Sequence, residues 1–141
     1  MEHFSNLELL FRQLKSLLKS GGMTFHHFIV SRDTIPQLLK AENTLISEYF
    51  PGGHIWPYAE AKRHTQHLEF VNSWFVNGRN YWKTLDEWHK RFWGAIDKLY
   101  PHYLSLEQAG RWNRYFSLSK SMFYPHNGKS YGNGQYLYRK T

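Results

Sequence analysis

The side chains best suited to acid–base chemistry in this chain are histidine, glutamate and tyrosine. The sequence has 141 residues, nine histidines and no cysteine, which excludes a thiolate nucleophile, a disulfide framework and a thiolate metal site. Glu2 and His3 lie just before the first predicted helix. A carboxylate there often only complements the helix dipole, but a carboxylate beside an imidazole is also a typical general-base pair.

The other candidates lie at predicted strands or helices. His26 and His27 are adjacent on a predicted strand, so their side chains should point to opposite faces of the sheet. One of them would be a core histidine and the other would face a site. Tyr81 begins a helix at the end of a later strand, where it is either a site residue or an ordinary boundary aromatic. His64 and His67 have helical i, i+3 spacing, but no third ligand follows at a matching distance, so no metal site is expected.

Composition favours a single domain, residues 1–141, with anionic partners. The formal net charge is +7, the pI is near 9.6 and 18% of the residues are aromatic. A basic surface attracts phospholipid headgroups, nucleic acid or acidic substrates. The basic residues are scattered, so we expect no nucleic-acid partner and keep an anionic membrane surface as an alternative to plain solvation. No apolar run approaches the ~18 residues of a membrane span. We expect a soluble, cytoplasmic protein, at most peripheral to a membrane.

The first half of the chain predicts a helix that leads into a buried strand. Ser5 and Glu8 have the spacing of a capping box, and leucines at helical intervals follow up to Gly21-Gly22. A helix that ends in glycine and passes into a strand is typical of a crossover unit on a mostly parallel sheet. The predicted elements are a strand over Met23–Val30, a helix over Ile35–Tyr49, a connector at His54–Pro57 and a short helix over Tyr58–His67.

The second half predicts one interior strand, two long helices and a short final strand. Glu69–Val76 is apolar on most of both faces, which is typical of an interior strand. Capping boxes at Thr84/Glu87 and Ser105/Gln108 predict helices to about Leu99 and Met122. The segment Tyr124–Gly134 is loop-like, and Gln135–Arg139 is a short strand. The sum is an α/β fold with about three strands and about five helices, the content of half of a larger doubly wound domain.

In order along the chain, these pieces resemble one enzyme family. The relevant motifs are EHF, LKSGG, the strand with His27, YFPGG at 49–53 and WFVNGRNYWKTLDEWHKRF at 74–92. They resemble the C-terminal half of the S-adenosylmethionine-dependent methyltransferases that include the cyclopropane-fatty-acid synthases and the coclaurine-type N-methyltransferases. VNGRNYWKTLDEW is closer to the N-methyltransferase pattern. The resemblance implies a Rossmann-like class I methyltransferase fold.

The resemblance also implies roles for four residues. In the N-methyltransferase branch Glu2 would position the acceptor amine or draw off its proton, and His3 would be a general-base candidate. In the synthase branch Glu2, His27 and Tyr81 would hold a bicarbonate that takes up a proton. The acceptor would be a small-molecule amine or an unsaturated fatty-acyl chain, and the two branches share most of these positions.

One departure from the family limits these expectations. The glycine-rich S-adenosylmethionine loop and the acidic ribose-binding residue of the family would precede Met1. We therefore expect a partial domain, the acceptor-side half, that is inactive alone and binds S-adenosylmethionine only as part of a longer enzyme. The alternative is a catalytically dead, truncated chain that acts as an interaction module. Its partner would be the missing N-terminal half, or a second copy that pairs at an exposed sheet edge, and poor solubility would follow.

Overall fold

The computed structural model describes residues 3–33, 36–38, 45–49 and 51–141. Helices and strands are interspersed along the chain, as in an α/β fold. They are α1 (Leu7–Leu17), β1 (Met23–Ser31), β2 (Gln37–Leu38), α2 (Leu45–Tyr49), β3 (His54–Pro57), a 3₁₀ turn (Ala61–Arg63), β4 (Glu69–Asn77), α3 (Gly78–Gly94), α4 (Ile96–Leu99), α5 (Leu106–Phe123), a left-handed turn within Pro125–Gly128, and β5 (Tyr131–Arg139).

The strands form one sheet in the order β2-β3-β1-β5-β4. β1 pairs with β5 along its whole length, antiparallel, and β5 pairs antiparallel with β4. Among the described strands, only β1 and β3 pair in parallel, through Val30 and Ser31. The expected α/β class is confirmed, but a mostly parallel sheet is wrong for the part of the chain that is described. The last strand returns between two earlier ones and reverses the local direction.

Two predictions about the sheet were wrong: the number of its strands and the position of β4 within it. The described sheet has five strands instead of about three, because His54–Pro57 is a strand and not a connector, and Gln37–Leu38 is a strand inside the predicted helix. Ile55 is almost fully buried while its neighbours are half-exposed, which is the alternation of a strand at a sheet surface. β4 has nearly its predicted bounds but lies at the edge of the sheet, with a bulge between Phe70 and Asn72. It is therefore not an interior strand.

The last strand is longer than predicted because its glycines serve close packing. A Cβ atom on Gly132 would lie 2.3 Å from the carbonyl oxygen of Val76, and one on Gly134 would lie 2.5 Å from the hydroxyl of Tyr136. The glycine-rich stretch that predicts a loop is thus the place where two neighbouring groups approach the backbone of β5. The final strand begins at Tyr131 instead of Gln135.

The helix starts show which capping signals were used. Ser105 and Gln108 form the predicted capping box of α5, with bonds of 3.2 and 2.8 Å. At α1 the N-cap is Asn6 instead of Ser5, and its side chain accepts from the backbone N–H of Leu9 at 2.9 Å. Both are short polar side chains that fit this position.

α3 begins earlier than its predicted capping box. The N-cap is Asn77, which accepts from the N–H of Arg79 at 2.8 Å, so Thr84 lies inside the helix. The predicted helix over Ile35–Tyr49 is only partly tested: Gln37–Leu38 is a strand, Leu45–Tyr49 is helical, and Ile35 with residues 39–44 lies outside the described residues. The predicted helix over Tyr58–His67 is reduced to the 3₁₀ turn.

The two faces of the sheet carry two separate cores. On the closed face, covered by α1 and the 58–68 segment, the fully buried rings include Phe11, Tyr136 and Tyr138. On the other face, here called the open face, α3 and α5 pack around Leu85, Phe116 and Phe123. They cover only the part of that face near Ile29 and Tyr131. Within the described residues, no helix has both the length and the apolarity that crossing a membrane requires.

Candidate functional site

The candidate site is built around His27 on the open face of the sheet. Its ring lies between two amide side chains of the neighbouring strand β5. The Nδ2 atom of Asn133 is 3.1 Å from Nε2 of His27, and the Nε2 atom of Gln135 is 3.2 Å from Nδ1. His27 is exposed, whereas Asn133 is only 6% exposed. Both ring nitrogens therefore have a partner in the protein, although the residue is exposed to solvent.

Strand register produces this arrangement. In the antiparallel ladder His27 lies opposite Gln135, and Ile29 lies opposite Asn133. Side chains two residues apart share a face, so all four project from the same side of the sheet. The two amides stand one above the other and reach across to a single imidazole.

Tyr81 reaches the same side of the sheet from a distant part of the sequence. It lies in the first turn of α3, directly after the end of β4. Its ring packs edge-to-face on Phe123 at 4.8 Å and is half-buried in the cluster that also contains Ile29. Because His27 and Ile29 share a face, the structure brings the predicted residues His27 and Tyr81 to one side of the sheet.

His26 points the other way, as the sequence predicted. Its ring packs at 6.0 Å from both Phe11 and Tyr138 on the closed face, and Nε2 is 3.1 Å from the hydroxyl of Thr24. Burial lowers the pKa of His26 below its ordinary value. His26 is the core histidine, and His27 is the histidine available to a site.

The remaining predicted acid–base residues are located only in part. Glu2 lies outside the described residues, so the Glu2–His3 pair cannot be placed as a unit. His3 is exposed in the turn that precedes α1. Its role and that of Glu2 therefore stay predictions.

The pair at i, i+3 spacing forms separate contacts. The Nε2 atom of His64 is 3.5 Å from a carboxylate oxygen of Glu60, and Nε2 of His67 is 3.8 Å from one of Glu8. Among the residues described, no group of three or more metal-ligating side chains occurs.

Four polar residues near His27 and Tyr131 were missed by sequence reasoning. Asn133 and Gln135 fell in or beside the predicted loop, although their period-two spacing in the segment NGQYLY was a strand signal. The phenol of Tyr131 donates to Oε1 of Gln37 at 2.9 Å, which ties β5 to β2. The Ser31 hydroxyl at the end of β1 is buried without a hydrogen-bond partner in the described structure.

The described residues do not fit S-adenosylmethionine. The cofactor loop of a doubly wound fold follows a parallel strand and opens a helix with glycines. The glycines with left-handed backbone in the described ranges, Gly21, Gly52 and Gly128, all precede strands instead. Gly78 does open a helix, but a Cβ there would lie 2.1 Å from the carbonyl oxygen of Tyr131, so this glycine is packed against protein.

The fold is that of a class I methyltransferase. The crystal structure of coclaurine N-methyltransferase bound to N-methylheliamine and SAH superposes with a TM-score of 0.84 at 23% identity, covering 99% of this chain and 45% of that one. The cyclopropane synthase MmaA2 from Mycobacterium tuberculosis superposes with a TM-score of 0.78 at 20% identity, covering 99% and 52%.

The sequence comparison agrees with the fold. The chain belongs to the mycolic acid cyclopropane synthetase family, whose model matches residues 1–130. It is 26% identical over 152 residues to (S)-coclaurine N-methyltransferase from Thalictrum flavum subsp. glaucum, covering 99% of this chain and 42% of that protein. The resemblance identified in the sequence is confirmed, and these matches fit the C-terminal part of the family. The chain spans less than half the length of this curated relative.

Proposed function

We propose that this chain forms the acceptor side of an S-adenosylmethionine-dependent methyltransferase. Family membership supports this, as does a solved neighbour bound to SAH. The observation that carries the proposal is the position of His27 and Tyr81, which the family resemblance singled out. They lie on a strand and a helix more than fifty residues apart and reach the same side of the sheet.

We further propose an amine as the acceptor, in preference to an unsaturated fatty-acyl chain. The alkene reaction implied by the synthase branch would need His27 to hold bicarbonate through a ring nitrogen. Both ring nitrogens of His27 already face amide side chains at 3.1 and 3.2 Å, so bicarbonate would have to displace Asn133 or Gln135. The 26% identity to an N-methyltransferase points in the same direction.

In an amine reaction the acceptor nitrogen gains a methyl group and gives up a proton. The acceptor must therefore be bound with its lone pair free, and a base must lie beside it. From the family resemblance, Glu2 would position the amine and His3 would take the proton. The open face would supply the apolar wall, because Trp74 lies in the same cross-strand row as Gln135 and His27 and is 44% exposed.

The first experiment is a calorimetric titration of the 141-residue chain with S-adenosylmethionine, together with its circular dichroism spectrum. We expect a folded spectrum and no heat of binding, because the described residues lack the cofactor loop. Co-expression with the N-terminal half of the coclaurine N-methyltransferase relative should then restore methyl transfer to a small amine. Micromolar binding by the chain alone would overturn the acceptor-side assignment. Bicarbonate-dependent modification of unsaturated phospholipid vesicles by the reconstituted enzyme would overturn the amine assignment.

A second candidate function is an interaction module, and the free edge of β1 favours it. In the described part of the sheet β1 is paired along all nine residues on the β5 side, but on its other side only Val30 and Ser31 are paired, with β3. Met23 and Phe25 lie along the remaining edge and are 51% and 54% exposed. An open edge beside exposed apolar side chains is adhesive.

The partner would be the other half of the enzyme or a second copy of this chain. Sedimentation velocity over a concentration series tests the second copy. We expect self-association that Phe25→Lys weakens. Leu17→Lys should not weaken it, because Leu17 is 81% exposed but lies on α1. A chain that stays monomeric throughout the series would contradict the self-association arm and leave pairing with the other half as the form to test by co-purification.

A further inference from the structure

We propose that Asn133 and Gln135 are positioning residues that hold His27 in a single tautomer, with the ring proton on Nδ1. The geometry that supports this is the pair of contacts at 3.1 and 3.2 Å, one at each ring nitrogen. The assignment of tautomer depends only on these contacts. Its meaning for catalysis rests on the proposed function.

The hydrogen-bonding capacity of the groups limits the arrangement. A neutral imidazole has one N–H donor and one nitrogen that accepts, whereas a carboxamide has both an NH₂ donor and a carbonyl acceptor. Two amides can therefore satisfy both ring nitrogens only if one presents its NH₂ group and the other its oxygen. Each choice fixes which ring nitrogen carries the proton.

Burial decides which amide sets the choice. Asn133 is 6% exposed and places its Nδ2 atom toward Nε2 of His27. Turned over, this amide would accept from Nε2–H instead, so its orientation determines the tautomer. A side chain with so little solvent around it is the less free of the two to turn. Gln135 is only half-buried, so it can turn its oxygen toward the ring in contact with solvent. Nε2 then accepts from Asn133, and Nδ1 carries the proton and donates to Gln135.

This arrangement defines what His27 does at the site. With Nε2 accepting from Asn133, the basic nitrogen of the ring is not free to take a proton from the acceptor. His27 would then orient and line the site, and proton removal would fall to Glu2 and His3. Asn133 and Gln135 act through His27 and need not touch the acceptor.

The test is nitrogen-15 NMR of the histidine rings in the 141-residue chain at mildly alkaline pH. For His27 we expect two widely separated ring-nitrogen signals with the proton on Nδ1. In Asn133→Asp, an isosteric side chain that only accepts at that pH, the proton should move to Nε2. In Gln135→Met it should stay on Nδ1. His26, which points to the opposite face, is the internal control, and its signals should stay the same in all three proteins.

Several outcomes would overturn the inference. These are averaged His27 signals in the wild-type chain, a proton on Nε2 there, or an unchanged tautomer in Asn133→Asp. The wild-type spectrum alone is decisive if the variant does not fold. The measurement needs no methyl transfer, so it succeeds or fails independently of the proposed enzyme activity. A single Nδ1–H tautomer in a protein that methylates no amine would refute only the proposed function.

Discussion

The two faces of the sheet differ most clearly at two adjacent residues. His26 lies half-buried beside the rings of Phe11 and Tyr138 on the closed face, where helix α1 and the 58–68 segment pack against the sheet. His27 lies on the open face between two amides, with its ring exposed. The same residue type thus serves packing on one side of a strand and is available for a site on the other. The side-chain period of the strand makes this division.

The faces also differ in how their apolar residues are covered. Tyr136 and Tyr138 are fully buried on the closed face, and desolvation raises the pKa of both phenols. On the open face Met23, Phe25 and Trp74 are 51%, 54% and 44% exposed. On the closed face, the chain itself covers the large aromatic side chains of β5. The open face has the apolar surface that an acceptor or another polypeptide would cover.

The largest expected effect is the loss of a ring from the closed face. Phe11 is fully buried against Tyr138 and His64, at 4.8 and 5.6 Å between ring centroids. Phe11→Ala should lower the free energy of unfolding by about 3–5 kcal/mol, through lost burial and a cavity. The matched change Phe25→Ala on the open face should cost less than about 1 kcal/mol, since that ring is 54% exposed. Urea unfolding measures both.

Equal losses in the two variants would show that the open face is covered in solution, for example by a second copy. If Phe11→Ala does not fold, Phe11→Leu keeps the comparison measurable with a smaller loss. The comparison is made at low protein concentration, so that self-association through the edge of β1 does not add to the measured stability.

A smaller loss of stability is expected when a phenol hydroxyl is removed from either face of the sheet. The hydroxyl of Tyr138 donates to the carbonyl of Ala61 at 2.6 Å, and both residues are fully buried. Tyr138→Phe removes this bond and leaves the carbonyl only its longer bond from the backbone N–H of His64, at 3.3 Å, so the change should cost about 0.5–1.5 kcal/mol. Tyr131→Phe removes the bond to Gln37, which is half-buried and can turn to solvent, so its cost should be smaller. Thermal unfolding of the two variants gives the comparison, and a larger loss in Tyr131→Phe would contradict it.

The sequence predicted much of the closed face because local and periodic signals agree there. Leucines at helical spacing located α1, a continuous apolar run located β1, and strand alternation placed His26 and His27 on opposite sides. On the open face, a local signal of the same kind, the capping box at Ser105, located the start of α5. Each of these signals comes from residues within a few positions of one another.

The part that sequence could not predict depends on contacts between distant segments. β3 has only four residues and forms because the end of β1 offers it a partner. The first half of β5 has glycines at 132 and 134 that are typical of a loop until their neighbours are known. Asn133 and Gln135 are 106 and 108 residues from His27 in the sequence. Only the register between β1 and β5 identifies them as its partners.

The smallest expected effect is a pH dependence of the free energy of unfolding. It should come from His26 and not from its neighbour His27. Burial lowers the pKa of His26 in the folded chain, so the unfolded chain binds a proton at higher pH than the folded chain does. Stability from keeping this ring neutral is complete above about pH 6.5, the ordinary histidine pKa. It is lost as the pH falls from there toward the folded pKa, because the unfolded state then holds more protons.

Unfolding free energies measured by urea denaturation between neutral pH and mildly acidic pH should therefore decrease for the wild-type chain. His26→Gln should have a lower stability at neutral pH, through lost packing with Phe11 and Tyr138, but a shallower decrease with acid. His27→Gln is the matched control and should keep the decrease that His26 causes. A slope unchanged in His26→Gln would mean that the closed face admits enough water to solvate the charged ring, and the contrast between the two faces would then be smaller than their packing indicates.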